Sequence, residues 1–444
     1  MSKLIIQNGN MCELDLPLKF AQKLYNEFAI RHPNAFYLRT RQRGMQNWDG
    51  KIHYITKTGQ FKIGLLPKVY DMCIEMGIKP KVVDMRQPLP KVSKVVTNIG
   101  KYKLRPEQEK AVKSVINNRV GDTPFHIGVL DYTVNAGKTL IMSSLYLTYK
   151  KQLKTLLITN DSDWLNQARE EFKQYLPGED ITFVQGKVLN WSNFTIGMVQ
   201  SISRNMRFYQ KELSQIDMVL VDEADQGGSK QYQNVITRLF NTRIRIGLSG
   251  TIYMSKLAKD KVKNMNLECF FGKVIAEFKL KDSIKKGYST KTIVKMVPGK
   301  PWYGNWESDC ISYKEIYDDS ITENNTAWTM AYNRLRWNIN QGRYPALVVC
   351  KHIAHCENLY KFFKKKLGDA YNIAYVHVNT PSKLRQQIMR DFREGKIDIL
   401  VSTTIIARGK NFPKLRYLLN AASMDSQEKS IQFLGRLVRT DKSK

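Results

Sequence analysis

Two short stretches hold residue types that could do chemistry together. The first is Thr133-Val134-Asn135-Ala136-Gly137-Lys138-Thr139, which follows an apolar run and opens an apolar helical pattern at Leu140. Backbone N–H groups at a helix N-terminus can cradle phosphates, and the loop residues Asn135, Ala136 and Gly137 would supply them. Lys138 would neutralise the outer phosphate oxygens, and the Thr139 hydroxyl would ligate magnesium. The match to GxxxxGK[ST] is imperfect, because Tyr132 stands where the first glycine belongs. The second stretch is Met218-Val219-Leu220-Val221, an apolar strand ending in Asp222-Glu223-Ala224-Asp225. Acids at the end of a buried strand beside a phosphate loop divide the work: Asp222 holds Mg2+ and Glu223 polarises the attacking water. Together the two stretches predict an ATP-hydrolysing site. A chance Gly-Lys-Thr turn would explain the first alone, but not both.

These residues need a parallel sheet to carry them, and the chain from 104 onward reads that way. Apolar runs suited to strands occur at Phe125–Leu130, Leu156–Thr159, Thr195–Val199, Met218–Val221 and Ile244–Leu248. A second set follows at Leu347–Cys350, Ala374–Val378, Ile399–Ser402 and Tyr417–Asn420. Continuous apolar strands between helical patterns mean sheets covered on both faces. The expected fold class is α/β, two parallel-sheet domains preceded by a small basic α+β domain. The boundaries read as 1–95 for the basic domain, 96–270 for the nucleotide-binding domain, 271–330 for a connection and 331–444 for the second sheet domain.

The first 95 residues differ from the rest. Leu4-Ile5-Ile6 reads as a strand, a helix opens at Pro17, and a second helix starts near Pro67. Lys51–Ile55 and Phe61–Leu65 read as strands around a turn, and residues 80–103 read as a linker with three prolines. The segment holds eleven lysines and five arginines against seven acids. Basic and aromatic residues mingle at Arg39–Arg43 and Trp48–Lys51, so Arg41, Arg43, Trp48 and Lys51 are candidate nucleic-acid contacts. A structural cap with a solvated basic face is the alternative.

The whole chain of 444 residues carries 71 Lys and Arg against 40 Asp and Glu, a net charge of +31. A field of that sign attracts polyanions and gains affinity by releasing their counterions. No run approaches the ~20 apolar residues of a membrane span, and the first residues lack a signal peptide. A soluble intracellular protein is expected, in the host cytoplasm if a phage encodes it. The six cysteines contain no CxxC pair, which suits free thiols. Cys350, His352, His355 and Cys356 lie close in sequence, but so short a span rarely closes a tetrahedral zinc site without a second ligand pair.

With these residues in place the chain resembles the superfamily-two helicases from about 104 to 444. Leu104-Arg105-Pro106-Glu107-Gln108 is similar to the family's adenine-reading segment, which implies that Arg105 and Gln108 contact the base. Ser249-Gly250-Thr251 resembles motif III, implying that Ser249 and Thr251 couple nucleotide state to the nucleic acid. Val401-Ser402-Thr403-Thr404 through Arg408-Gly409 resembles motif V, with Thr403 and Arg408 on the nucleic acid and Gly409 beside the nucleotide. Gln432, Gly435, Arg436 and Arg439 match QxxGRxxR, motif VI, whose arginines stabilise charge on the γ-phosphate in this family. Ser201 is a further implied contact to the strand. Gln432 in place of His-Arg, and Ser-Gly-Thr in place of Ser-Ala-Thr, set the chain apart from the DEAD-box RNA branch. Asn135 replaces the usual glycine three before the lysine.

Within the superfamily the likeness is to compact phage helicases of the UvsW type. It rests on the basic domain with Trp48-Asp49-Gly50-Lys51, and on Lys281-Asp282-Ser283-Ile284 to Gly287-Tyr288. That resemblance implies a monomeric ATP- and Mg2+-dependent motor that migrates branches, reverses forks or unwinds DNA junctions in replication, recombination or repair. ATP would sit between the two sheet domains, and closure would step the second domain along one strand. The alternatives are a duplex translocase that separates no strands, an RNA helicase, and a basic annealing protein with a silent nucleotide site. Trp302 and Trp306 are candidates for a strand-separating wedge, with local packing as the alternative. The chain stops five residues after Arg439, which suggests that a final helix follows in a longer protein.

Overall fold

The structure, a computed structural model, describes residues 2–42, 44–149, 152–186, 191–252, 260–297, 312–407, 412, 414–422 and 435. The expected site residues Arg43, Arg408, Gly409, Gln432, Arg436 and Arg439, and the tryptophans Trp302 and Trp306, lie outside that set. The chain divides into two compact units, Met1–Asp282 and Ser283–Lys444.

The larger unit is built on a seven-stranded, wholly parallel sheet. Its spatial order is Ile181–Val184, Phe194–Met198, Thr155–Thr159, Met218–Asp222, Ile244–Ser249, Ile127–Tyr132 and Val274–Phe278. The five central strands are almost entirely buried, as expected for strands covered by helices on both faces. All five coincide with the apolar runs read from the sequence, within a few residues at their ends. The two edge strands do not. Ile181–Val184 and Val274–Phe278 alternate or only half-bury their side chains, so neither shows the continuous apolar run that marks the centre.

The N-terminal residues form a four-stranded sheet of their own, ordered Gln60–Lys62, Met11–Asp15, Lys3–Ile6 and Lys81–Asp84. Two expectations change here. Lys51–Ile55 and Phe61–Leu65 do flank a turn, but they meet only at the antiparallel bridge of Ile55 with Phe61: Lys51–His53 pairs with Ala29–Arg31, while Gln60–Lys62 pairs with Met11–Asp15. Ile63–Leu65 turns into a 3-10 helix instead of continuing the strand. The stretch read as a linker contains the strand Lys81–Asp84, which lies parallel to Lys3–Ile6. Pro80 stands just before that strand, and Pro88 and Pro90 follow it.

This small sheet shares a continuous apolar core with the large one, from Leu4 and Phe61 through Val129 and Val219 to Phe271. The seam between them is close. A Cβ at Gly9 would lie 2.6 Å from Leu239 O, and one at Gly64 would lie 2.1 Å from Glu268 O. Arg245, fully buried on a central strand, donates to Gly9 O at 2.6 Å, Asn10 Oδ1 at 2.8 Å and Phe270 O at 3.2 Å. Neutral acceptors at such distances offset much of the cost of burying a cation.

The second unit holds a four-stranded parallel sheet ordered Ile373–Val376, Ile399–Thr403, Ala346–Cys350 and Tyr417–Asn420. All four match the second set of apolar runs. Two apolar clusters, one around Leu347 and Leu400 and one around Val348 and Val401, cover its two faces. His355 and Cys356 lie buried in the helix Ile353–Leu367, and the Cys350 and Cys356 thiols are free. No described helix is long and apolar enough to cross a membrane.

Candidate active site

The expected phosphate loop and acids meet at one edge of the large sheet, because three neighbouring strands run the same way. Ile127–Tyr132 feeds the loop, Met218–Asp222 ends in the acids, and Ile244–Ser249 lies between them. The register aligns Asp222 with Leu248 and Asp131 with Ser249, so all three carboxyl ends finish together. Ligands in open parallel sheets bind at such carboxyl edges.

The loop enters the helix Lys138–Thr148 through two residues at positive φ, Asn135 at 65° and Gly137 at 72°. Asparagine is among the few side chains that tolerate this region, so Asn135 can replace the family's glycine without changing the turn. Tyr132 departs more visibly. Its ring is buried against Phe278, and its hydroxyl donates to Glu107 O at 2.8 Å. A side chain that points into the core leaves the loop's outer face clear, so a glycine is not needed there.

Arg105 and Gln108 join that same framework. Gln108 Nε2 donates to Ala136 O at 2.8 Å, its Oε1 accepts from Arg105 N at 2.8 Å, and Arg105 Nη2 donates to Asn135 O at 3.1 Å. Gln108 is buried, and a Cβ at Gly137 would strike its Nε2 at 2.3 Å. The segment expected to read adenine therefore also braces the phosphate loop from behind.

Lys138 Nζ donates to Tyr132 O at 3.4 Å. Asp222 is buried, and its Oδ1 has no hydrogen-bond partner among the described residues. Burial pushes the Asp222 carboxyl above its usual value, and the nearby Lys138 charge pulls it back. A buried carboxylate oxygen left unbonded is costly unless a ligand completes it. Together with the Thr139 hydroxyl, Asp222 offers the hard oxygen donors that suit magnesium, which needs only one or two carboxylates besides phosphate and water. Glu223 follows in the left-handed region at φ 51°, a conformation that costs a non-glycine residue about 1 kcal/mol or more. That turn redirects the chain immediately after Asp222.

Asp225 received no role from the sequence, and the structure gives it one. It is buried, accepts from Ser249 Oγ at 2.9 Å, and accepts from Gln226 Nε2 at 3.0 Å. Ser249 Oγ in turn accepts from Thr251 N at 3.1 Å. The acidic turn and the Ser-Gly-Thr segment are thus one hydrogen-bonded unit. Gly250 belongs to it for a steric reason: a Cβ there would lie 3.0 Å from Thr133 Cα, against the phosphate loop. Asp131, at the end of the loop's own strand, is ion-paired with Lys279 and was also unforeseen. Its signal was an acid inside an otherwise apolar strand.

The expected nucleic-acid residues are scattered over both units. Ser201 is the third residue of the short helix Val199–Arg204, and its Oγ accepts from Gly186 N at 3.0 Å. Thr403 ends a strand of the second unit and is buried. In the N-terminal module Arg41 lies over the Tyr37 ring at 5.2 Å. Trp48 Nε1 donates to Lys51 O at 2.9 Å and its ring meets His32 edge-on, so Trp48 holds the Lys51 backbone in place.

Comparison with known proteins speaks to the family of the chain. The family described as "Type III restriction enzyme, res subunit" matches residues 101–254, and "Helicase conserved C-terminal domain" matches residues 331–441. The chain is 21% identical over 428 residues to the ATP-dependent DNA helicase uvsW of Enterobacteria phage T4, covering 90% of this chain and 80% of that one. Among solved structures, the type ISP restriction-modification enzyme LlaBIII bound to DNA is 14% identical with a TM-score of 0.56, covering 84% of this chain and 30% of that one. The DEAD-box helicase Mss116 bound to ssRNA and UDP-BeF is 14% identical with a TM-score of 0.52, covering 76% and 68%. These structural likenesses speak for the fold.

Proposed function

Because the chain belongs to the superfamily-two helicases and hydrolyses ATP, we propose that it remodels branched or forked DNA, by branch migration, fork reversal or junction unwinding. The observation that carries the motor reading, in which ATP use is coupled to movement, is the hydrogen-bonded unit of Asp225, Ser249 and Thr251, set directly against the phosphate loop at Gly250. A change at the phosphates there would bear directly on the Ser249–Thr251 segment. A silent nucleotide site has no use for such a link.

In this reading Lys138 neutralises charge on the outer phosphates and Glu223 orients the attacking water. Asp222 and the Thr139 hydroxyl would hold magnesium, which when bound neutralises charge between the β- and γ-phosphates. Arg436 and Arg439 are the candidates for stabilising charge as the bond breaks. DNA as the polymer is supported by the net charge of +31, and by the likeness to a DNA helicase over 90% of the chain. Contacts made mainly to phosphates give weak sequence preference and a steep salt dependence.

The test is strand displacement on a fork and a four-way junction beside triplex displacement on a plain duplex, at matched salt. Faster processing of the junction or fork supports the proposal. Triplex displacement without strand separation would make the chain a duplex translocase, and activity on RNA alone would move it to the RNA branch.

A further inference from the structure

Away from the nucleotide edge, the N-terminal module carries a groove of about 500 Å³ between the helix Ala35–Arg41 and the strand Lys51–His53. Such a volume lies in the ~300–1,000 Å³ range of small-ligand pockets. The helix comes this near because Gly50, at φ 78°, has no Cβ; one placed there would lie 3.1 Å from Ala35 Cβ. Arg31 and Lys51 are register partners on adjacent strands, so two cations sit side by side on one wall. Phe36 and Arg39, three residues apart on the helix, share the facing wall.

All four side chains are exposed, and the Phe36 ring is 79% exposed. Among the described residues no carboxylate forms an ion pair with Arg31, Arg39 or Lys51. The one acid in the groove, Asp49, is already engaged. Its Oδ2 lies 2.7 Å from His53 Nε2 and its Oδ1 accepts from Lys51 N at 2.9 Å. An aromatic face this open has no account in packing, since it touches water on nearly every side.

Cations around an exposed ring match one chemistry well: a phosphodiester strand whose base is free to stack. An aromatic platform with flanking positive charge is how single strands are held without sequence preference. A duplex would use the cations alone, because its bases already stack on one another and offer no free face to Phe36. We propose that this groove holds an unpaired nucleotide of a DNA strand, with its base on Phe36 and its flanking phosphates on Arg31, Arg39 and Lys51. This rests on the reading of the chain as a DNA motor. It adds that the N-terminal module grips opened strand rather than duplex only.

The test compares the full chain with Phe36→Ala, Phe36→Trp and Arg39→Glu by fluorescence anisotropy on labelled oligo-dT, a blunt duplex and a forked duplex. Phe36→Ala is expected to weaken oligo-dT and fork binding by about five- to a hundredfold, the loss of one base–aromatic stack, and to leave the blunt duplex unchanged. Phe36→Trp should restore binding, and Arg39→Glu should weaken all three substrates. Equal loss on all substrates with Phe36→Ala, no loss on any, or no wild-type binding to oligo-dT overturns the proposal. ATP hydrolysis by the wild type, measured beside it, separates the two readings. Hydrolysis unaffected by DNA sinks the motor reading, whereas DNA-stimulated hydrolysis with unaltered Phe36→Ala binding sinks only the groove.

Discussion

At the carboxyl edge of the large sheet, several polar side chains are buried and hydrogen-bonded in place. Gln108 holds the phosphate loop, Asp225 holds Ser249, and Tyr132 holds the segment before Gln108. In the N-terminal groove, by contrast, Arg31, Arg39 and Lys51 are exposed and none is ion-paired among the described residues. The difference follows from what each region must recognise. Chemistry on a phosphate needs groups fixed in advance, because reorganisation at the moment of reaction is costly. Holding a polymer that must keep moving needs charge and a flat ring, neither of which demands one geometry. The first region should respond to single-atom changes, and the second to salt.

The sharpest break between them is Glu223→Gln. Turnover should fall by about 10²- to 10⁴-fold, the usual share of a general base, while DNA binding by anisotropy persists. Next is Ser249→Ala, which removes the donor to Asp225 and the acceptor of Thr251 N. Strand displacement should fall by about tenfold or more, and ATP hydrolysis by clearly less, in parallel assays on one fork. Equal loss in both would mean that the Asp225–Ser249 link supports the fold and not the coupling. The smallest effect is Lys51→Glu in the groove. The DNA concentration for half-maximal stimulation should rise by severalfold, and the slope of log affinity against log salt should flatten by about one. An unchanged salt slope would remove Lys51 from the phosphate contacts.

Much of the large architecture could be read from the sequence because central parallel strands are buried on both faces. Met218–Asp222 and Ile399–Thr403 therefore announce themselves as apolar runs. Val274–Phe278 does not, since an edge strand packs one face and wets the other. Lys81–Asp84 was hidden by the prolines on either side of it, Pro80 before and Pro88 and Pro90 after. The gathering of Lys138, Asp222 and Glu223 at one sheet edge was legible because each follows an apolar strand of the kind that a parallel sheet buries. Asp225, the bracing role of Gln108 and the buried hydroxyl of Tyr132 were not, because each depends on a partner between 24 and 28 residues away. Spacing within one element cannot reveal a contact made to another. Phe36 was passed over for the opposite reason: its position fits an ordinary helix, and only its exposure beside cations that have no ion pair among the described residues singles it out.

The most direct measurement is steady-state ATP hydrolysis by the wild type and by Lys138→Ala, each with and without forked DNA at fixed salt. The account predicts hydrolysis that rises strongly with the fork in the wild type. It predicts none above background in Lys138→Ala under either condition, with fork binding retained. Hydrolysis by Lys138→Ala at the wild-type rate, or wild-type hydrolysis indifferent to the fork, would contradict it.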